Sequence, residues 1–160
     1  MKKLLLALMF LIGPASLHAM NAGDQGYGIM VGNPSGLSGK MWFNDRVALD
    51  GAFGVDQSKL DAHVSLLFHD FELLKSLNIQ QSSSRLQVPV YMGVGPRILF
   101  ADKAEFGIRT PLGISFFPER TEWEVFTELA PVIRLSPSVG LDFDFALGCR
   151  YYFWAIRPKQ

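Results

Sequence analysis

The stretch GLDFDFALGCRYYF, residues 140–153, decides the fold, because apolar side chains alternate in it with polar or small ones. Successive side chains of a β-strand point to opposite faces, so this alternation predicts a strand with one apolar and one polar face. The apolar face carries Val139, Leu141, Phe143, Phe145, Leu147, Cys149, Tyr151 and Phe153. The opposite face carries Gly140, Asp142, Asp144, Ala146, Gly148, Arg150 and Tyr152.

The same alternation recurs in the preceding segments, and turn-forming residues separate them. It predicts strands over residues 122–135, 106–116, 86–100, 60–69 and 46–55, with two weaker, glycine-rich strands over 37–43 and 27–31. Turns are indicated at residues 33–36, 44–45, 56–58, 101–103, 118–120 and 136–138. The prediction is an all-β chain that forms an eight-stranded antiparallel up-and-down transmembrane β-barrel, because eight is the smallest even number usual for bacterial outer-membrane barrels.

The distribution of charge and glycine indicates which face is inside. Charges of both signs share one face with the glycines, whereas the other face is almost purely apolar. We therefore predict a polar interior and a lipid-facing exterior, with ion pairs between the arginines and carboxylates of the polar face. The expected participants are Arg97, Arg109, Arg134 and Arg150 with Glu124, Glu128, Asp142 and Asp144.

The N-terminus has the layout of a secretory signal peptide. Met1-Lys2-Lys3 is followed by the apolar run 4–12, which is too short to cross a bilayer as a helix, and then by Gly13-Pro14. We assign residues 1–19 to the signal peptide and 20–160 to one barrel domain. The single cysteine excludes an intramolecular disulfide, and the balance of 15 basic and 15 acidic residues argues against nucleic acid as a partner.

Two features are difficult for the barrel prediction. Prolines 89, 96, 111 and 131 each lack a donor for the ladder, so bulges or strand ends should absorb them. The connection 71–85 is the longest, and we expect at most one helical turn in it.

Aromatic residues cluster towards the segment ends, as interfacial girdles would. The predicted girdle residues are Tyr27, Trp42, Phe43, Phe68, Phe100, Phe106, Phe116, Phe117, Trp123 and Tyr151 to Trp154.

The stretches PVYMGVGPRILF (89–100), GIRTPLGISFFP (107–118), VFTELAPVIRL (125–135) and GLDFDFALGCRYYF (140–153) carry a resemblance. Over roughly residues 25–153 the chain resembles a family of small outer-membrane β-barrels of spirochaetes and other bacteria, OmpA- or OmpX-like in architecture and mostly of undefined function. Barrels of this type often end on the aromatic residue of the last strand. Here Phe153 is followed by WAIRPKQ, which is a departure from that pattern.

The predicted location is the cell outer membrane, with a structural or interaction role at the cell envelope. The expected partners are outer-membrane lipid, the barrel assembly machinery and a possible soluble envelope or host partner. Because an eight-stranded barrel is only wide enough for its own side chains, we expect no wide pore. No enzyme activity, catalytic residue, cofactor or metal is assigned.

Three alternatives remain open from the sequence. A soluble periplasmic, lipocalin-like barrel that binds an apolar ligand would show similar alternation. A lipid A-modifying enzyme would use His63 as base and Ser65 as nucleophile, two residues on one strand face. A metal site from Asp61, His63 and His69 would need further ligands from neighbouring strands.

Overall fold

In a computed structural model, which describes residues 22–77, 86–101, 103–118 and 121–153, the chain is an antiparallel all-β structure. The predicted signal peptide 1–19 and Trp154 lie outside the described residues. The strands are β1 (Gln25–Gly32), β2 (Ser35–Trp42), β3 (Val47–Asp56), β4 (Lys59–Asp70), β5 (Leu86–Gln87), β6 (Val90–Phe100), β7 (Glu105–Arg109), β8 (Leu112–Pro118), β9 (Trp123–Ser136) and β10 (Gly140–Phe153).

Hydrogen bonding passes around a ring of eight strands, so the predicted barrel-like architecture and strand number are confirmed. The ring closes where β1 pairs with β10, from Gln25 opposite Phe153 to Gly32 opposite Ala146. The ten strand segments amount to eight strands because two strands are interrupted. β5 continues into β6 after a break at Val88-Pro89, and β7 continues into β8 after a break at Thr110-Pro111.

The four prolines coincide with irregularities of the ladder, although only two of them end a strand segment. Pro89 and Pro111 lie at the two breaks, where their carbonyls accept hydrogen bonds from the N–H groups of Ser115 and Gly93. Pro131 lies inside β9, and its carbonyl accepts a hydrogen bond from Thr110 N–H. The side of Pro131 that lacks an N–H group therefore lies next to the break at Thr110-Pro111. Pro96 lies inside β6 beside an interruption in the β4–β6 pairing. Pro89 and Pro111 therefore lie at strand ends, as expected. Pro96 and Pro131 lie inside strands, so the expectation is wrong for these two.

The up-and-down course of the chain gives the ring two different ends. The terminal end holds Gln25 and Phe153, together with residues 43–46, 71–77 and 121–122. The turn end holds residues 33–34, 57–58, 101, 103–104 and 137–139. Gln57 and Ser58 both have positive φ, of 46° and 68°, as a two-residue hairpin turn that follows the strand twist requires.

The long connection begins with one helical turn, α1 (Leu73–Ser76), as the sequence predicts. The Asp70 side chain accepts hydrogen bonds from the backbone N–H groups of Glu72 and Leu73 and so caps this turn. In the part of the chain that the structure describes, no helix has the length and apolar character needed to cross a membrane.

Candidate functional site

The interior of the ring is the candidate site, because almost all of the buried ionisable groups converge there. A first group, the lower cluster, consists of Lys40, Asp50, Glu124 and Arg150, all at most 4% exposed. Glu124 accepts from Lys40 Nζ at 2.6 Å, and Arg150 Nη1 lies 3.3 Å from its second oxygen. Arg150 also forms a short ion pair with Asp50. Two cations and two carboxylates therefore balance in this cluster.

Neutral hydroxyl groups complete the lower cluster. Ser115 Oγ and Tyr152 OH donate to Glu124 at 2.5 and 2.7 Å, while Ser38 Oγ lies 2.6 Å from Arg150 Nη2. Buried charges are tolerated when they are paired and their remaining hydrogen-bonding positions are satisfied. Glu124, with four partners, meets that condition.

An aromatic layer closes the interior at the terminal end. Trp42 is fully buried, donates through Nε1 to Tyr152 OH at 3.2 Å, and packs against His69 with ring centroids 4.4 Å apart. Phe71 and Phe117 complete the layer. Trp42, Phe117 and Tyr152 thus point inwards, so their prediction as girdle residues is wrong. The period of two separates Trp42 from its neighbour Phe43, which faces outwards and is 47% exposed.

A second group, the upper cluster, lies nearer the turn end and consists of Asp56, Asp61, Arg97, Arg109, Glu128 and Asp144. Arg97 faces three carboxylates, with Nη2 2.9 Å from Asp56 and 2.5 Å from Asp61 and Nε 3.4 Å from Asp144. Arg109 forms a short ion pair with Glu128 and lies 3.4 Å from Asp144. Tyr91 OH donates to the other oxygen of Glu128 at 2.9 Å.

A small group of apolar side chains lies between the lower and upper clusters, with Phe126 between Glu124 and Glu128 on the inward face of β9. Met30, Ala52, Phe126 and Ala146 form a small buried group. The guanidinium carbon of Arg150 lies 3.9 Å from the centroid of the Phe126 ring, a favourable cation–π distance. The interior is therefore a packed core with a large charged component.

The turn end carries a third group, the rim cluster, which is partly exposed. Arg134 Nη1 lies 3.3 Å from Glu105 and 3.4 Å from Asp142, and Lys59 Nζ lies 3.6 Å from Glu105. A small pocket beside these residues reaches Arg97 and has room for roughly one water molecule.

All four predicted arginines form ion pairs with carboxylates of the polar face, and the four predicted carboxylates take part. The pairing for Arg109 includes Glu128 and Asp144, and that for Arg134 includes Asp142. Arg97 instead adds Asp56 and Asp61, which the sequence reasoning did not include as partners. Lys40 and Asp50 were also missed, although Lys40 falls on the polar face of β2 in an otherwise small and apolar stretch.

The His63 and Ser65 side chains both point into the interior, at 3% and 1% exposure. Neither His63 Nδ1 nor Ser65 Oγ has a hydrogen-bond partner among the described residues, so the two side chains are not bonded to each other. The carboxylate beside His63 is Asp50, at 3.9 Å from Nε2, beyond hydrogen-bond distance. His63 and Ser65 therefore do not form the hydrogen-bonded base–nucleophile pair that is typical of nucleophilic catalysis.

Residues Asp61, His63 and His69 lie on one face of β4 but take different partners. Asp61 binds Arg97, whereas His69 Nε2 lies 3.3 Å from Lys40 Nζ near the terminal end. Within the described ranges, no three or more His, Cys, Asp or Glu side chains are grouped so that they hold a metal ion.

The outer surface of the strands is apolar on every side of the ring. Large outward-facing side chains are exposed by about half or more, among them Ile29, Leu37, Phe53, Phe68, Met92, Phe106, Leu129, Leu141, Phe145 and Leu147. Tyr27, Trp123, Tyr151 and Phe153 form an outward aromatic group at the terminal end, with neighbouring ring centroids 5.1–6.2 Å apart. Cys149 is a free thiol on the same face.

Comparisons with known proteins returned no match to this chain, whether among protein-family models, curated proteins or solved structures.

Proposed function

We propose that this protein is an integral barrel of the bacterial outer membrane, with a structural or interaction role at the cell envelope. One observation carries the proposal: the polarity of the molecule is inverted, with the charged groups inside and the large apolar side chains outside. Soluble monomers rarely expose continuous apolar patches above a few hundred Å². An apolar band around a closed sheet suits lipid, since closure satisfies the backbone N–H and C=O groups without an edge.

The proposal includes removal of residues 1–19 after export, with residues 20–160 as the membrane domain. Outer-membrane lipid and the barrel assembly machinery are the corresponding partners. The packed charges and the aromatic layer support a barrel that does not conduct solutes of any size. Interaction with a soluble envelope or host partner would involve the short connections at the ends.

The other candidate functions have less support. A carrier of apolar ligands needs an apolar lumen, and the described lumen is lined by the lower and upper clusters. A lipid A-modifying enzyme would need accessible His63 and Ser65 side chains, which are both buried. We therefore propose no catalytic activity.

Cell fractionation tests the proposed location. We expect the mature chain in the outer-membrane fraction and its release only by detergent. A control chain with a known periplasmic location should appear in the soluble fraction of the same cells. Recovery of the folded protein from the soluble periplasm without detergent would overturn the proposal and favour a lipocalin-like barrel.

A further inference from the structure

Among the described residues, the upper cluster contains more carboxylates than cations, whereas the lower and rim clusters contain equal numbers of both. The lower cluster pairs Lys40 and Arg150 with two carboxylates, and the rim cluster pairs Lys59 and Arg134 with two carboxylates. In the upper cluster Arg97 and Arg109 face four: Asp56, Asp61, Glu128 and Asp144. If every group there were ionised, two negative charges would stay uncompensated.

The geometry of the arginines does not remove this surplus. One guanidinium has five N–H groups and can donate to several carboxylates, but it neutralises only one charge. All six residues are less than 9% exposed, so solvent screens the surplus poorly. Uncompensated buried charge is strongly unfavourable, and a buried group usually neutralises instead of remaining ionised.

Buried polar atoms without a hydrogen-bond partner border the same cluster. Among the described residues, Asp61 Oδ1, His63 Nδ1 and Arg109 Nη1 have no hydrogen-bond partner, although all three residues are at most 3% exposed. A carboxyl oxygen that carries a proton becomes a donor. A proton in this cluster would therefore supply charge compensation and a donor together.

A metal cation fits the cluster less well than protons do. The guanidinium of Arg97 occupies the position between Asp56, Asp61 and Asp144, and the described residues provide no grouping of three or more ligands for a metal. Protonation of His63 is also a poor solution, because His63 lies directly opposite Arg97 in the β4–β6 register and a second positive charge would face the first.

We propose that the upper cluster is a proton-binding site that holds two protons at neutral pH, centred on Asp61 and Asp144. Charged and titratable groups on the surrounding strands line the same part of the interior, except on β1, which has no charged residue. They are Asp50 and Asp56 of β3, His63 of β4, Tyr91 and Arg97 of β6, Arg109 of β7, Glu128 of β9 and, at the rim, Asp142 of β10. The inference rests on the interior and not on the membrane location.

Infrared spectroscopy of the folded barrel in detergent tests this site directly, since a protonated carboxyl has a C=O stretch separate from the carboxylate bands. At pH 7 we expect a carboxylic-acid band equivalent to about two groups. Asp61→Asn and Asp144→Asn should each reduce it, whereas the matched rim variant Asp142→Asn should leave it unchanged. A wild-type spectrum without this band would overturn the proposal.

A second measurement needs no variant and covers the case in which the substitutions prevent folding. The native state would hold protons that the unfolded chain, with ordinary aspartate pKa values near 3.9, has already released. Raising the pH above 7, where unfolded histidines are neutral, should therefore lower the folding equilibrium constant, by up to about tenfold per pH unit for each proton. The proposal would be overturned in favour of a bound cation if the folding equilibrium constant did not change with pH but differed between sodium and a bulky organic cation.

Discussion

Arginine substitution at Phe145, compared with the same change at Phe43, tests the proposed membrane location. Both phenylalanines face outwards with similar exposure, 57% and 47%. Phe145 lies inside β10, where it pairs with Leu129 of β9 and its carbonyl accepts from Asn33 N–H. Phe43 lies just beyond the end of β2, at the terminal end of the ring. The two sites therefore differ mainly in their depth along the barrel.

The expected magnitudes follow from depth. An arginine on the lipid face costs about 2–4 kcal/mol near the bilayer midplane and about 0–1 kcal/mol near the interface. Phe145→Arg should then lower the folding equilibrium constant in lipid vesicles roughly 30- to 700-fold, at about 1.4 kcal/mol per factor of ten. Phe43→Arg should lower it by no more than about fivefold. If the outer face were in water, both changes would be almost neutral, since exposed surface substitutions usually stay within about 0.5 kcal/mol.

The assay is a urea titration of folding into vesicles, followed by tryptophan fluorescence and checked by the mobility of unheated samples on a gel. Equal folding constants for Phe145→Arg and the wild type would refute the assignment of the outer face to lipid. Equal losses for the two variants would refute the argument from depth, because they would indicate a general effect of the charge.

Three further predictions concern closure and the interior. The folded barrel should run at a different apparent mass unheated than boiled, and identical mobility of a sample shown to be β-rich would indicate an open sheet. Arg150→Met should destabilise the fold by about 3–5 kcal/mol in a urea titration, because Asp50 and Glu124 lose a buried partner; Arg134→Met at the partly exposed rim should cost about 1 kcal/mol or less, and equal costs would contradict the role of the lower cluster. Gly28→Ala should impair the β1–β10 closure, since a Cβ there would lie 1.8 Å from the backbone carbonyl oxygen of Cys149. Gly39→Ala should fold normally, because the nearest atom to its Cβ would be in the Tyr27 ring at 3.5 Å, an ordinary contact distance. Equal folding yields for the two variants would refute this account.

The outward and inward faces of the strands could be predicted because they depend on local sequence. Phe143 and Asp144 take opposite sides in the structure, as the period of two requires. The same rule, applied more strictly, would have separated Trp42 from Phe43. The aromatic prediction failed there because it considered only position near a strand end and not parity along the strand.

The ion-pair partners could be predicted only in part. Arg150 pairs with the expected Glu124, and it also forms a short ion pair with Asp50, 100 residues away, which the sequence did not indicate. Which carboxylate meets which arginine depends on the stagger that accumulates across all eight strand pairings of the ring. The β4–β6 register is the same on both sides of Pro96, and the β6 register is the same on both sides of Thr110-Pro111, whereas the β7–β9 register shifts between Phe106 and Gly107. Sequence spacing alone does not determine these registers.

Sequence by itself determined the all-β class, the eight strands, the connections between them and the apolar face of each strand, because backbone periodicity and turn chemistry act over a few neighbouring residues. Only the tertiary structure decided the closure of β1 on β10, the aromatic layer around Trp42, and the unequal division of charge among the three clusters. These features depend on side chains from strands far apart in the chain, brought to one level of a narrow interior. The surplus of carboxylates around Arg97 could therefore not be predicted from the sequence, whose net charge is zero.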